Sequence, residues 1–264
     1  MSYLLKYPTP QGANIQIFNA GFLGADNQTW VKPQGASFVW FTLIGAGGGG
    51  GGSDGAATGG GGGGSGAVTN CMVPAFLIPD NLQIVVGMGG TGGASSDSDG
   101  TGGYQSRILQ PFNVQSGSEI LLANAGGGGG RSSSSGGGAS GGGASASNFF
   151  SCMGFYQSIA GQSGANVSSP TTASATTFLS GGAGGANLSG LVQGNYGYLY
   201  QNQESTLTGN IFQMQPIIVG LGGSYSTLND NASAGGTGCG GGGAGGAASN
   251  GGNGGNGMVV IITW

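Results

Sequence analysis

Asp97 and Asp99, in the stretch DSDG (97–100), stand at the first two ligand spacings of a calcium-binding loop. Such a loop needs a bidentate glutamate at its twelfth position. Counted from Asp97 that position is Ile108, so a solvated turn is expected rather than a cation site. GAGGGG (45–50) follows an apolar stretch and formally satisfies the GxGxxG dinucleotide pattern. That chemistry also requires a helix whose N-terminus holds the pyrophosphate and an acidic residue about twenty positions on, and no helix is expected here. Cys71, Cys152 and Cys239 form no CxxC pair and the chain has no histidine, so zinc and iron–sulfur sites lack a ligand set. Buried, reduced thiols are expected. Without histidine a nucleophile would depend on a lysine or carboxylate base; Lys6 and Lys32 lie near the N-terminus, and Glu119 and Glu204 form no recognisable pair. The expectation is no enzyme, no metal and no cofactor.

The charge balance narrows the partners. Lys6, Lys32, Arg107 and Arg131 face eight acids, for a net charge of −4. There is no basic stripe to meet a phosphate backbone, so no nucleic acid is expected as partner. The apolar runs are far shorter than the ~20 residues needed to cross a bilayer, and no membrane insertion is expected. The N-terminal stretch MSYLLKYPTPQGANIQIF lacks the basic segment and apolar core of a signal peptide, which implies synthesis in a cytoplasm.

The residues best suited to recognition are aromatic. Tyr196, Tyr198 and Tyr200, in NYGYLY, alternate with small or apolar residues, and Asn195, Gln201 and Asn202 stand beside them. Large rigid rings next to adaptable amides make good contact surfaces. Tyr156 belongs to the same class, whereas Phe149 and Phe150 are expected to pack the insertions onto their support. These residues fall in two long segments, about 145–178 and 191–212, which read as recognition loops.

What positions such loops must be built from glycine, because 67 of the 264 residues are glycine. Collagen is excluded, since glycine does not recur at every third position and only 8 prolines are present. Disorder is disfavoured, since charged residues make up 5% and the flanking segments are rich in Val, Ile and Phe. Strands are expected at ANIQIF (13–18), SFVWFTLI (37–44), GAVTNCMVPAFLI, NLQIVVGM, EILLANA, QPIIVGL and GMVVIITW. Several of them run directly into glycine, as in LIGAGGGG (43–50) and VVGMGGTGG (85–93). A polyglycine II helix has three residues per turn and no internal hydrogen bonds, so its amides and carbonyls point outward. Packed side by side, such helices can satisfy one another, and any Cβ would hold them apart. The fold class expected is mainly β with polyglycine II helices: short strands feeding a packed glycine bundle, long aromatic and polar loops, and essentially no α-helix. The runs are placed at 45–66, 87–103, 126–143, 181–190 and 235–257.

TWVKPQGASFVWFTLIGAGGGGGG (29–52), the strand-bearing unit 59–93 and GGNGGNGMVVIITW (251–264) resemble the glycine-rich domain of bacteriophage tail-fibre and receptor-binding proteins. More distantly, the chain is similar to the tip adhesins of T-even-like long tail fibres. The resemblance implies a receptor-binding adhesin on the virion surface, with a host outer-surface protein or glycan and other virion proteins as partners, and homo-oligomers within reach. An N-terminal attachment and assembly segment, 1–36, with Trp30 as an attachment residue, is expected ahead of a glycine-rich domain, 37–264, although this N-terminus departs from the fibre-attachment region of those adhesins. A capsid decoration or appendage subunit is the alternative, and an ice-binding or extracellular structural protein a third.

Overall fold

In the computed structural model the residues described are 13–21, 27–55, 59–110, 119–131, 137, 140–143, 156–166, 231–245 and 248–264. Eleven strands are found among them: β1 (Asn14–Asn19), β2 (Asn27–Val31), β3 (Phe38–Ile44), β4 (Ser53–Asp54), β5 (Val68–Pro74), β6 (Asn81–Val85), β7 (Ser106–Leu109), β8 (Glu119–Ala123), β9 (Tyr156–Ile159), β10 (Ala248–Ser249) and β11 (Met258–Thr263). One 3-10 turn, Ala75–Leu77, is the only helical element of the described residues.

β3 shows why these segments become strands. Its seven residues are aromatic, β-branched or leucine, and Val39, Phe41 and Leu43 are fully buried while Phe38, Trp40 and Thr42 face the other way. β3 lies at the centre of a five-stranded antiparallel sheet, order β1-β11-β3-β5-β9. Its neighbour β11 sets Val259 opposite Leu43 and Ile261 opposite Phe41. The second sheet, order β2-β6-β7-β8, contributes Trp30, Leu82, Ile84, Ile108 and Leu121 to the same core. Two antiparallel sheets thus close face to face, each supplying one apolar side.

All the strands that lead into glycine do so at one end of this sandwich. Ile44 pairs with both Met258 and Val68, Val68 with Ile159, Val85 with Arg107, and Ser106 with Ala123. From that end the chain continues as glycine segments that bond mainly to one another. Along 45–52 successive amides turn to three different neighbours and return every third residue. Gly45, Gly48 and Gly51 donate to Ala67, Gly64 and Gly61; Ala46, Gly49 and Gly52 donate to Tyr104, Thr101 and Ser98; Gly47 and Gly50 donate to Gly255 and Gly252, all at 2.8–3.2 Å. The carbonyls follow the same rule toward three further segments, accepting from Gly90 and Gly93, from Gly126 and Gly129, and from Gly241 and Ala244. This run therefore has six neighbours, three antiparallel and three parallel. Segment 59–67 repeats the pattern, with Gly61 and Gly64 donating to Gly130 and Gly127, Gly60 and Gly63 to Ala244 and Gly241, and Gly62 and Ser65 to Ala165 and Gln162.

The packing explains the composition. A Cβ added at Gly47, Gly48, Gly49 or Gly50 would lie closer than 3.0 Å to the backbone of Cys239, Gly127, Thr91 or Gly242. The fully buried alanines Ala46, Ala67 and Ala244 lie toward the ends of their runs. At the bundle's surface, where a neighbouring segment is missing, side chains replace its carbonyls. The repeat NGGNGGN (250–256) sets an asparagine at every third position, and the Oδ1 atoms of Asn256, Asn253 and Asn250 accept from the amides of Gly89, Gly92 and Ser95 at 2.9, 2.8 and 2.6 Å. Thr101 Oγ1 and Ser98 Oγ do the same for the amides of Thr91 and Ala94.

Several sequence expectations need correction. The run 45–66 is two antiparallel segments rather than one, reversing beyond Gly55, whose φ of +97° belongs to the left-handed region that glycine tolerates. β2 and β7 lie in stretches not singled out as strands. β9 lies inside the supposed loop 145–178, where Tyr156–Ile159 pair with Cys71–Val68 along the edge of β5. The strands described ahead of residue 36 join both sheets, β1 pairing with β11 and β2 with β6. The segment QPIIVGL and the run 181–190 lie outside the described residues.

Candidate functional site

Trp30, expected as an attachment residue, is buried completely between the sheets and meets Phe41 edge-on, ring centroids 6.2 Å apart at 70°. Its side chain has no surface to offer a partner, and its place in this chain is that of a core residue. Tyr156, expected at a contact surface, is half-buried in β9 and packs against the core. Burial raises its phenol pKa, partly opposed by hydrogen bonding to Ser158 and Thr69. It is strand framework because its backbone matches the open edge of β5. Tyr196, Tyr198, Tyr200, Asn195, Gln201 and Asn202 lie outside the described residues.

The chemistry weighed from spacing is placed as follows. Asp97 takes a left-handed φ of 64° at the turn after Ser95, and Asp99 Oδ1 accepts the amide of Arg131 at 2.8 Å. These acids shape a turn. No three Cys, Asp or Glu side chains converge among the described residues. GAGGGG is the start of the central glycine run, with no helix after it. Cys71 is free and buried, and desolvation pushes its thiol up to about 12; Cys239 is buried as well. Cys239 closes a second apolar cluster on the outer face of the five-stranded sheet, with Ile44, Val68, Met258 and Val260.

One polar groove stands out, at the junction of the four-stranded sheet and the bundle. It is open to solvent, measures about 500 Å³ and is lined by Val85, Tyr104, Gln105, Arg107, Asn124 and Gly143. Gln105 Nε2 donates to Asn124 Oδ1 at 2.9 Å, and Asn124 Nδ2 donates to the Gly143 carbonyl at 3.0 Å. Arg107 reaches Glu119 at 3.5 Å, and its Nε is buried with no hydrogen-bond partner among the described residues. Tyr104 is 66% exposed. Sequence reasoning passed over these residues. The available signal was GGYQSR (102–107), where bulky polar side chains interrupt glycine just before a strand.

A family model described as a glycine-rich domain matches residues 24–264. The chain belongs to this family. Its match begins ahead of β2 and runs through β11, so it takes in the four-stranded sheet, every described glycine segment and all of the five-stranded sheet except β1. No curated protein matches the chain.

Proposed function

We propose that this glycine-rich domain is a structural protein of a bacteriophage surface and acts there as a receptor-binding adhesin at a tail-fibre tip. On this reading its threefold hydrogen-bonded segments are polyglycine II helices that hold recognition loops for a host outer-surface protein or glycan. The observation that carries the proposal is the way the frame grips both ends of the segment 167–230. Before it, the carbonyls of Gln162 and Ala165 accept from Ser65 and Gly62; after it, Ala232 and Gly235 donate to Asn250 and Asn253. A long aromatic and polar insertion tied at both ends to a backbone-packed support is how loops vary while a fold stays fixed. The test replaces Tyr196, Tyr198 and Tyr200 together by serine. Adsorption of particles to host cells should fall while melting behaviour and assembly are kept; unchanged adsorption would sink the adhesin reading.

A structural role in a capsid decoration or appendage is the second reading, and a specific surface favours it. At the sandwich end remote from the bundle, Phe38 stacks on Trp264 with centroids 6.0 Å apart, and Phe76 stands 82% exposed beside them on the turn after β5. Val31 is 60% exposed at the end of β2. Exposed apolar surface of this kind, beside the Lys32–Asp80 ion pair, fits a protein partner, whether another virion component or a second copy. Under this reading the tyrosine substitutions leave adsorption intact, and replacing Phe76 by serine strips the protein from the particle.

A further inference from the structure

We propose that the groove between β7, β8 and the glycine bundle binds a short neutral oligosaccharide, with Tyr104 as its stacking platform. The first argument is the ring itself. Tyr104 is held by its backbone, its amide donating to Met88 at 2.8 Å and its carbonyl accepting from Ala46 at 3.2 Å, while its side chain is left in solvent. A largely exposed aromatic ring on a pinned backbone, lining a concave polar site, suits the apolar C–H face of a pyranose.

The second argument is the amide chain behind the ring. Gln105, Asn124 and the Gly143 carbonyl are linked in series. That series uses one N–H of each amide and the Asn124 oxygen. The Gln105 oxygen and the second N–H of each amide have no bond assigned among the described residues. A primary amide sets a donor beside an acceptor, the arrangement that pairs with vicinal hydroxyls. Arg107 also lines the groove, and its charge is offset by Glu119. With the local charge balanced, the groove favours hydroxyl groups over carboxylate, sulfate or phosphate. Its volume of about 500 Å³ falls in the usual range of small-molecule sites.

The third argument is preorganisation. Gly103 donates to Gly126, and the Asn124 carbonyl accepts from Ala67. The backbone beneath the polar groups is thus pinned by the same lattice that orders the bundle, so binding need not order it.

This inference deepens the adhesin reading and rests on it for its biological role, but the binding event is tested apart. The purified full chain would be titrated with soluble oligomers of glucose, mannose, galactose and N-acetylglucosamine, with sialylated and sulfated oligosaccharides alongside. Expected is saturable binding of at least one neutral oligomer, with saturation transfer from the Tyr104 ring to the sugar. Tyr104→Ala and Gln105→Glu should each weaken it by about tenfold or more at unchanged melting temperature. Binding that survives both substitutions, preference for the acidic sugars, or no binding by any oligomer overturns the proposal. Adsorption lost in the loop variants but kept in Tyr104→Ala leaves the adhesin reading standing without this site. Sugar binding lost in Tyr104→Ala, with adsorption unchanged both in that variant and in the loop variants, removes the adhesin reading and leaves the site.

Discussion

At the scale of single residues, the same glycine code has opposite meanings at different positions. Gly48 lies inside the six-neighbour run, and a methyl group there meets the carbonyl of Gly127. Gly137 has nothing within 4 Å of the position a Cβ would take, and its φ is not left-handed. Gly48→Ala should therefore destabilise by about 1–3 kcal/mol through overpacking. Gly137→Ala should stabilise by about 0.4–1 kcal/mol by restricting the unfolded chain. Melting curves of the two variants, with shifts of opposite sign, check the packing; a shared sign would contradict it. Cys71 gives a second residue-level expectation. Burial holds its thiol protonated up to about 12, against an ordinary value of 9.0. Between those limits the unfolded chain gives up the proton and the folded chain keeps it, so stability is full below pH 9 and falls as pH rises toward 12. The slope from this one group approaches about 1.4 kcal/mol per pH unit. Tyr156, whose pKa is also raised by burial, adds in the same direction. Urea midpoints at pH 8 and pH 10.5 should separate more for the native chain than for Cys71→Ala, in which that component is gone.

At the scale of elements, the sequence was legible wherever side chains carry the signal. SFVWFTLI and GMVVIITW are strands within a residue of their expected bounds, and NLQIVVGM is one that ends three residues early, because aliphatic and aromatic side chains fix both face and period. SRIL at β7 and YQSI at β9 escaped notice, being short, carrying two adjacent polar residues that break the alternation, and dependent on neighbours supplied by distant strands. The glycine segments were legible as a class but not in their pairing. A side-chain-free run carries no register, so the fold-back of 45–66 had to come from its partners. The asparagine ladder is the exception, since NGGNGGN spells out its three-residue period. Asn253→Ala leaves the Gly92 amide at the bundle surface without its acceptor. Water can reach there, so the cost should stay near about 0.5–1.5 kcal/mol. Hydrogen exchange should show the Gly92 amide accelerating strongly while those of Gly48 and Gly64, bonded inside the bundle, stay protected. Equal acceleration in all three would mean the ladder holds the whole bundle rather than its rim.

At the scale of the whole molecule, sandwich and bundle are one cooperative object because each covalently and physically completes the other. β3 and β11 are adjacent in the sheet though more than two hundred residues apart in the chain, and their glycine continuations meet again where Gly47 donates to Gly255. The segments have no side chains with which to find one another, so the sheet that brings 45 and 257 together also sets the bundle's register. Conversely, Ser106 links the two parts through its hydroxyl, donating to the Ile44 carbonyl at 2.6 Å and accepting from the Gly87 amide at 3.1 Å. Contacts so distant in sequence delay any stabilising closure, and folding should be slow for a chain of this length. Neither part can persist without the other, so unfolding should be a single transition. Fluorescence, to which the buried Trp30 contributes from the sandwich core, and glycine amide signals from 47–51, which report the bundle, should then lose their native values at the same denaturant concentration. Gly48→Ala extends the test. Although its methyl group lies in the bundle, it should move the fluorescence midpoint by as much as the amide midpoint. Two separated transitions, with the sandwich outlasting the bundle, would show instead that the sheets fold alone and the glycine segments condense on them afterwards.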